Sequence, residues 1–140
     1  MITVYTCGAM EHISESDMKG WRLYMEENLP DVRFLHPTRR IPLHKQMGDA
    51  TMETYNKLKR IVAQDIKDIK NSSLVVANLR DSEPGKKWGS VMEVALAWDW
   101  GIPVIGIVDK KQFKHPFIYT MCTEVHYDVD SAIDAVKDYM

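Results

Sequence analysis

Short continuous apolar runs alternate with stretches of helical spacing along this chain. Ile2 to Cys7 is apolar and ends at Gly8, which reads as a buried first strand. A helix follows from Ser14 or Ser16 to Asn28, with Ser16 suited to the N-cap and Trp21, Leu23, Tyr24 and Met25 forming an apolar side. Pro30 stops it, and Val32 to Leu35 make a second strand. Residues 36 to about 54 carry Pro37, Pro42, Gly48 and scattered apolar positions, the pattern of a long irregular loop. Leu58, Ile61, Val62, Ile66 and Ile69 then recur at helical spacing, with Lys57, Lys59, Lys67 and Lys70 outside the stripe. Leu74-Val75-Val76-Ala77 reads as a strand covered on both faces. A helix from Ser90 to Trp100 closes at Gly101, and Pro103 to Val108 form a fourth strand. A short helix near Pro116 to Cys122, a fifth strand at Val125 to Tyr127 and a helix from Asp130 to Tyr139 complete the order.

Strands alternating with helices predict an α/β fold: a flavodoxin-like or Rossmann-like three-layer sandwich around a mainly parallel five-stranded sheet. The expected strand order, 2-1-3-4-5, opens a crevice over the carboxyl ends of the first and third strands, beside Gly8 and Asn78. The length of 140 residues suits one domain spanning 1–140, without repeats or linkers.

Composition narrows the function. A formal net charge of -2 argues against a nucleic-acid polymer as partner. No run has the length of a membrane span, and the first residues lack the basic start of a signal peptide. Cys7 and Cys122 form neither a CxxC pair nor a disulfide framework, so two free thiols in a reducing cytoplasm are expected. His12, His36, His44, His115 and His126 lack metal-ligand spacing. There is no GxGxxG, no GxxxxGK[ST] and no GxSxG, which disfavours dinucleotide, P-loop and serine-hydrolase chemistry.

Two carboxylates stand out. Glu93 falls near the start of the helix after the third strand. Ser90-x-x-Glu93 is a capping-box spacing, in which Ser90 caps the helix and Glu93 bonds back to it. The same carboxylate, placed at a crevice and ionised, suits a nucleophile. Gly89 would let backbone approach a ligand, and the apolar Val91, Met92, Val94 and Ala95 are unusual around an exposed cap. Asp65 shares the helical face of Val62 and Ile69, either as a stripe-edge residue paired with a lysine or as a crevice acid of raised pKa. Tyr5, Cys7, Gly8 and Ala9 lie at the end of the first strand, where Tyr5 is a core aromatic or a site residue. Arg39, Arg40, Lys45, Lys86 and Lys87 occupy loops near the strand ends, as solvated surface or as anion contacts.

Taken together, Val4-Tyr5-Thr6-Cys7-Gly8-Ala9, Asp65-Ile66-Lys67-Asp68-Ile69, Trp88-Gly89-Ser90-Val91-Met92-Glu93 and Gly101-Ile102-Pro103-Val104 resemble the nucleoside 2-deoxyribosyltransferase family in order and spacing. The resemblance implies Glu93 as nucleophile and Asp65 as proton donor, with Tyr5, Cys7, Gly8, Ala9, Asn78, Gly89 and Ser90 around the substrate. It also implies a 2′-deoxynucleoside and a free base as partners, no metal or organic cofactor, and a homodimer or larger assembly. Two positions depart from the family pattern. Lys87 replaces an acidic residue six before the nucleophile, and His115-Pro116-Phe117-Ile118-Tyr119 lacks an asparagine that some members donate to a neighbouring subunit. A lysine there suits a 5′-phosphate, so the alternative is the related 2′-deoxynucleoside 5′-monophosphate N-glycosidase activity. A non-catalytic nucleotide-binding module is the third expectation.

Overall fold

The computed structural model describes residues 1–9, 15–37, 51–81 and 88–140. Their elements run β1 (Thr3–Cys7), α1 (Glu15–Asn28), β2 (Arg33–Leu35), α2 (Met52–Lys70), β3 (Leu74–Asn78), α3 (Trp88–Asp99), β4 (Val104–Ile107), α4 (Pro116–Met121), β5 (Glu124–His126) and α5 (Val129–Lys137). The five strands form one parallel sheet in the order β2-β1-β3-β4-β5, as expected from the sequence.

Alternation along each strand divides the core between two faces. Val4, Leu74, Val76, Ile105 and Ile107 pack with Met25 of α1, with Leu29 just after it, and with Ala132, Ile133 and Val136 of α5. Tyr5, Cys7, Val75, Ala77 and Val104 face the other way, against Ile69 of α2, Val94 and Ala97 of α3, and Cys122 after α4. In the register, Tyr5 lies beside Val75 and Cys7 beside Ala77. The carboxyl ends of β1 and β3 therefore stand side by side, and the chain leaves them for opposite faces of the sheet.

Helix ends follow their local chemistry. Thr51 caps α2 by accepting from the Thr54 amide at 3.2 Å, and Asp128 caps α5 through the Ser131 amide at 2.7 Å. Gly101 ends α3 with φ +72, where Gly101 N–H bonds Trp98 and Ile102 N–H bonds Ala97, the Schellman arrangement.

Several boundaries differ from the sequence reading. α2 begins at Met52, inside the stretch expected to be irregular, because Thr51 caps the helix seven residues before Leu58, its first apolar stripe position. Val62 is largely exposed, and the stripe that α2 turns inward is Leu58, Ile61, Asp65, Asp68 and Ile69. Ser16 lies within α1 and so is not its N-cap. A 3-10 turn at Lys110–Gln112, not expected from the sequence, follows β4; Gln112 accepts from the Asp109 amide at 2.7 Å and donates to the Leu79 carbonyl at 3.0 Å. His12, Arg39, Arg40, His44, Lys45, Lys86 and Lys87, with most of the 36–54 loop, lie outside the described residues.

Candidate active site

The carboxyl end of β1 meets the start of α3 in one polar cluster. Tyr5 is fully buried, and its hydroxyl donates a short hydrogen bond to Glu93 Oε2. This contact displaces the capping-box reading. α3 begins at Trp88, so Ser90 lies inside its first turn, buried at 3% exposure, and Glu93 stands in the second turn facing β1. A phenol donor across the sheet, rather than the helix's own amide, orients the carboxylate.

The surroundings tune each group. Burial pushes the Glu93 carboxyl up to about 7; Asp65, a second carboxylate in the site, adds to the rise, while the Tyr5 hydrogen bond and the Arg22 guanidinium oppose it. Tyr5 is pushed far above the ordinary phenol range, by burial first and by Glu93 next, so its hydroxyl stays a donor at any working pH. Burial also raises the Cys7 thiol well above its usual value, with Glu93 and Asp65 adding to it. Cys7 is consequently a neutral wall of the site and not a thiolate nucleophile.

The other expected site residues take varied places. Gly8 shows no positive φ; a Cβ on it would lie 2.9 Å from Arg22 Nη2 and 3.0 Å from Trp21 Cζ2, so it makes room for α1 rather than for a sharp turn. Ala9 is buried just beyond it. Asn78, buried at the end of β3, accepts from Arg80 Nε at 3.1 Å, which commits its side-chain oxygen locally. Gly89 is exposed, and a Cβ there would meet nothing within 4 Å. Among the described residues, no neighbour therefore requires that glycine.

Sequence reasoning missed three residues beside this cluster. Arg22 is 1% exposed, and its Nε donates to Thr6 Oγ1 at 3.1 Å; Thr6 in turn bonds His36 Nδ1 at 2.6 Å. The signal for Arg22 was present: it shares a helical face with Met25 and Leu29, as Asp65 does with Ile69. His36 also meets Glu26 at 2.5 Å, whereas His126 bonds Glu124 and His115 accepts from the Phe117 amide. Among the described residues, no three His, Cys, Asp or Glu side chains gather as a metal site. Also among them, no helix is long and apolar enough to cross a membrane.

A separate groove of about 970 Å³ opens on the other flank of α3, between Val91, Met92 and Ala95 and the Phe117, Ile118 and Met121 side of α4. Glu93, Tyr5 and Asp65 are not among its walls.

No protein-family model matches the sequence, and no curated protein matches it. Solved structures share the fold. A 2-deoxyribosyltransferase from Bacillus psychrosaccharolyticus superposes with a TM-score of 0.69 at 14% identity, over 94% of this chain and 90% of its own. A molybdenum cofactor binding protein from Rippkaea orientalis gives 0.60 at 15% identity, over 99% and 96%. A CMP N-glycosidase from Clostridium botulinum gives 0.57 at 10% identity, over 99% of each chain.

Proposed function

We propose that this protein cleaves the N-glycosidic bond of 2′-deoxynucleosides and transfers the sugar to a second base. The observation that carries the reading is the Tyr5–Glu93 hydrogen bond at the crevice, with Asp65 close enough to act on the Glu93 carboxyl. A glutamate oxygen attacks C1′ as the C1′–N bond breaks. The bond's electron pair goes to the departing base, which takes a proton from Asp65 in its acid form. A nitrogen of the incoming base then displaces the glutamyl ester and gives its proton to the Asp65 carboxylate, which restores Glu93 as a carboxylate and Asp65 as an acid. Tyr5 holds one Glu93 oxygen and leaves the other to react. The carboxylates also favour the positive charge that develops on the sugar ring, as in glycosidases.

A second reading is supported by the shared fold with the CMP N-glycosidase and by Lys87, a cation suited to a 5′-phosphate. In it, water replaces the incoming base and a 2′-deoxynucleoside 5′-monophosphate is the substrate. The shared fold with a cofactor-binding protein keeps the non-catalytic alternative in the test.

Chromatography of each 2′-deoxynucleoside and each 5′-monophosphate, with and without a second free base, separates the readings. Exchange that requires the second base and disappears in Glu93→Ala supports the transferase. Base release from monophosphates alone supports the hydrolase. Silence from a folded protein that still binds nucleotide overturns both.

A further inference from the structure

Arg22 occupies a place where cations are rarely found. It lies on the inward face of α1, one turn from Met25, and is all but inaccessible. A guanidinium there is costly unless charge and hydrogen bonds balance it. Thr6 Oγ1 accepts from its Nε, and its plane packs 4.7 Å from the Trp21 ring centre. Thr6 Oγ1 also bonds His36 Nδ1 at 2.6 Å, and His36 Nε2 meets Glu26 Oε1 at 2.5 Å, while the ring stacks on Phe34 at 5.3 Å between ring centres.

Thr6 and Tyr5 are neighbours in β1 and point to opposite faces. The guanidinium is therefore anchored on the α1 side, while its charge reaches Cys7 and Glu93 on the other. Its Nη2 packs against Gly8, where any Cβ would press on it and on the Trp21 ring.

We propose that Arg22 is a positioning residue for Glu93: a buried guanidinium, packed against Gly8 and anchored through Thr6, His36 and Glu26, that balances the Glu93 carboxylate from the α1 side of the sheet. The proposal rests on the reading of Glu93 as nucleophile and deepens it. Among the described residues, four groups act on Glu93: Tyr5 and Cys7 from β1, Asp65 from α2 and Arg22 from α1. Tyr5 and Cys7 are neutral and Asp65 is a second carboxyl group, so Arg22 is the cation among these four. Burial lowers the guanidinium only to about 10, so it remains charged at neutral pH. Because Glu26 of α1, Thr6 of β1 and His36 just after β2 form its anchoring chain, the alignment of Glu93 depends on side chains on the opposite face of the sheet.

The test is a titration of the Glu93 carboxyl by carbon NMR in the ligand-free protein, identified by its loss in Glu93→Gln. Arg22→Met is expected to raise the Glu93 midpoint by about 1 pH unit or more, the usual effect of removing a neighbouring opposite charge. Arg22→Lys should raise it less, since a lysine keeps the charge without the fork. Gly8→Ala, which leaves every charge in place but displaces the guanidinium, should move it the same way and serves if Arg22→Met does not fold. The acid limb of any N-glycosidic activity should move with the midpoint, and the plateau at higher pH should survive. A midpoint unmoved in the folded variants overturns the proposal, as does activity lost equally at every pH. The titration is read without substrate, so it decides the pairing even if the chromatographic panel is silent and the proposed function fails.

Discussion

Glu93 is held in a state that works against the fold. Its carboxyl is raised to about 7 in the folded chain from an ordinary value of 4.5. Between those values the folded state binds more protons than the unfolded one, so stability falls as pH rises through this window and stays reduced above it. The shift of about 2.5 units corresponds to a penalty on the order of 3 kcal/mol at pH 8. Glu93→Gln is therefore expected to be more stable than the native protein at pH 8, by up to that amount, and little different at pH 4.5. Paired urea denaturations at the two pH values check it. Catalysis would run the other way, gaining as pH rises through about 7 and the nucleophile ionises. Gly89 invites a complementary experiment. Its Cβ position meets none of the described residues, and alanine is the better helix former, so Gly89→Ala should hold or slightly raise the melting temperature. A several-fold rise in KM in that stable variant would place substrate against the Gly89 backbone; unchanged kinetics would remove it from the site.

At the scale of elements, the sequence announced what periodicity and punctuation could carry. The run Leu74 to Ala77, the helix closing at Gly101 and the strand after Pro103 reappear within a residue or two. Their signals are local: continuous apolar residues, a glycine at positive φ, a proline before a strand. What escaped were contacts made across the fold. Ser90 and Glu93 have capping-box spacing, yet a tyrosine 88 positions away takes the carboxylate, which no local pattern reveals. Arg22 broke the stripe of α1 as visibly as Asp65 broke that of α2, but a single charge among apolar neighbours does not say which strand end it will reach. Close packing between elements was equally hidden. A Cβ on Gly106 in β4 would stand 2.7 Å from Cys122 Sγ at the end of α4. Gly106→Ala should cost about 1–3 kcal/mol in urea unfolding, and adding Cys122→Ala should recover part of it. If the second change recovers nothing, the Gly106 constraint comes from the strand itself.

At the scale of the whole molecule, the sheet separates a face devoted to packing from a face that carries the candidate chemistry. α1 and α5 cover the first, and α2, α3 and α4 the second. Both cysteines are free, and both lie on the second face, Cys7 at 0% exposure and Cys122 at 6%. A thiol reagent needs access and a thiolate, and the folded chain withholds both at each position, since burial also pushes Cys122 up to about 11. Labelling can then occur only during excursions that lift a helix from this face. The two sulfurs thus act as internal clocks, Cys122 timing departures of the short α4 and Cys7 timing exposure of the ground beneath Tyr5 and Glu93. In mass-spectrometric labelling, Cys122 should react first, and a bound nucleoside should slow Cys7 far more than Cys122. Equal slowing would mean that the whole face opens as one body, and its rate would set the fastest pace at which an occupant buried there could be exchanged.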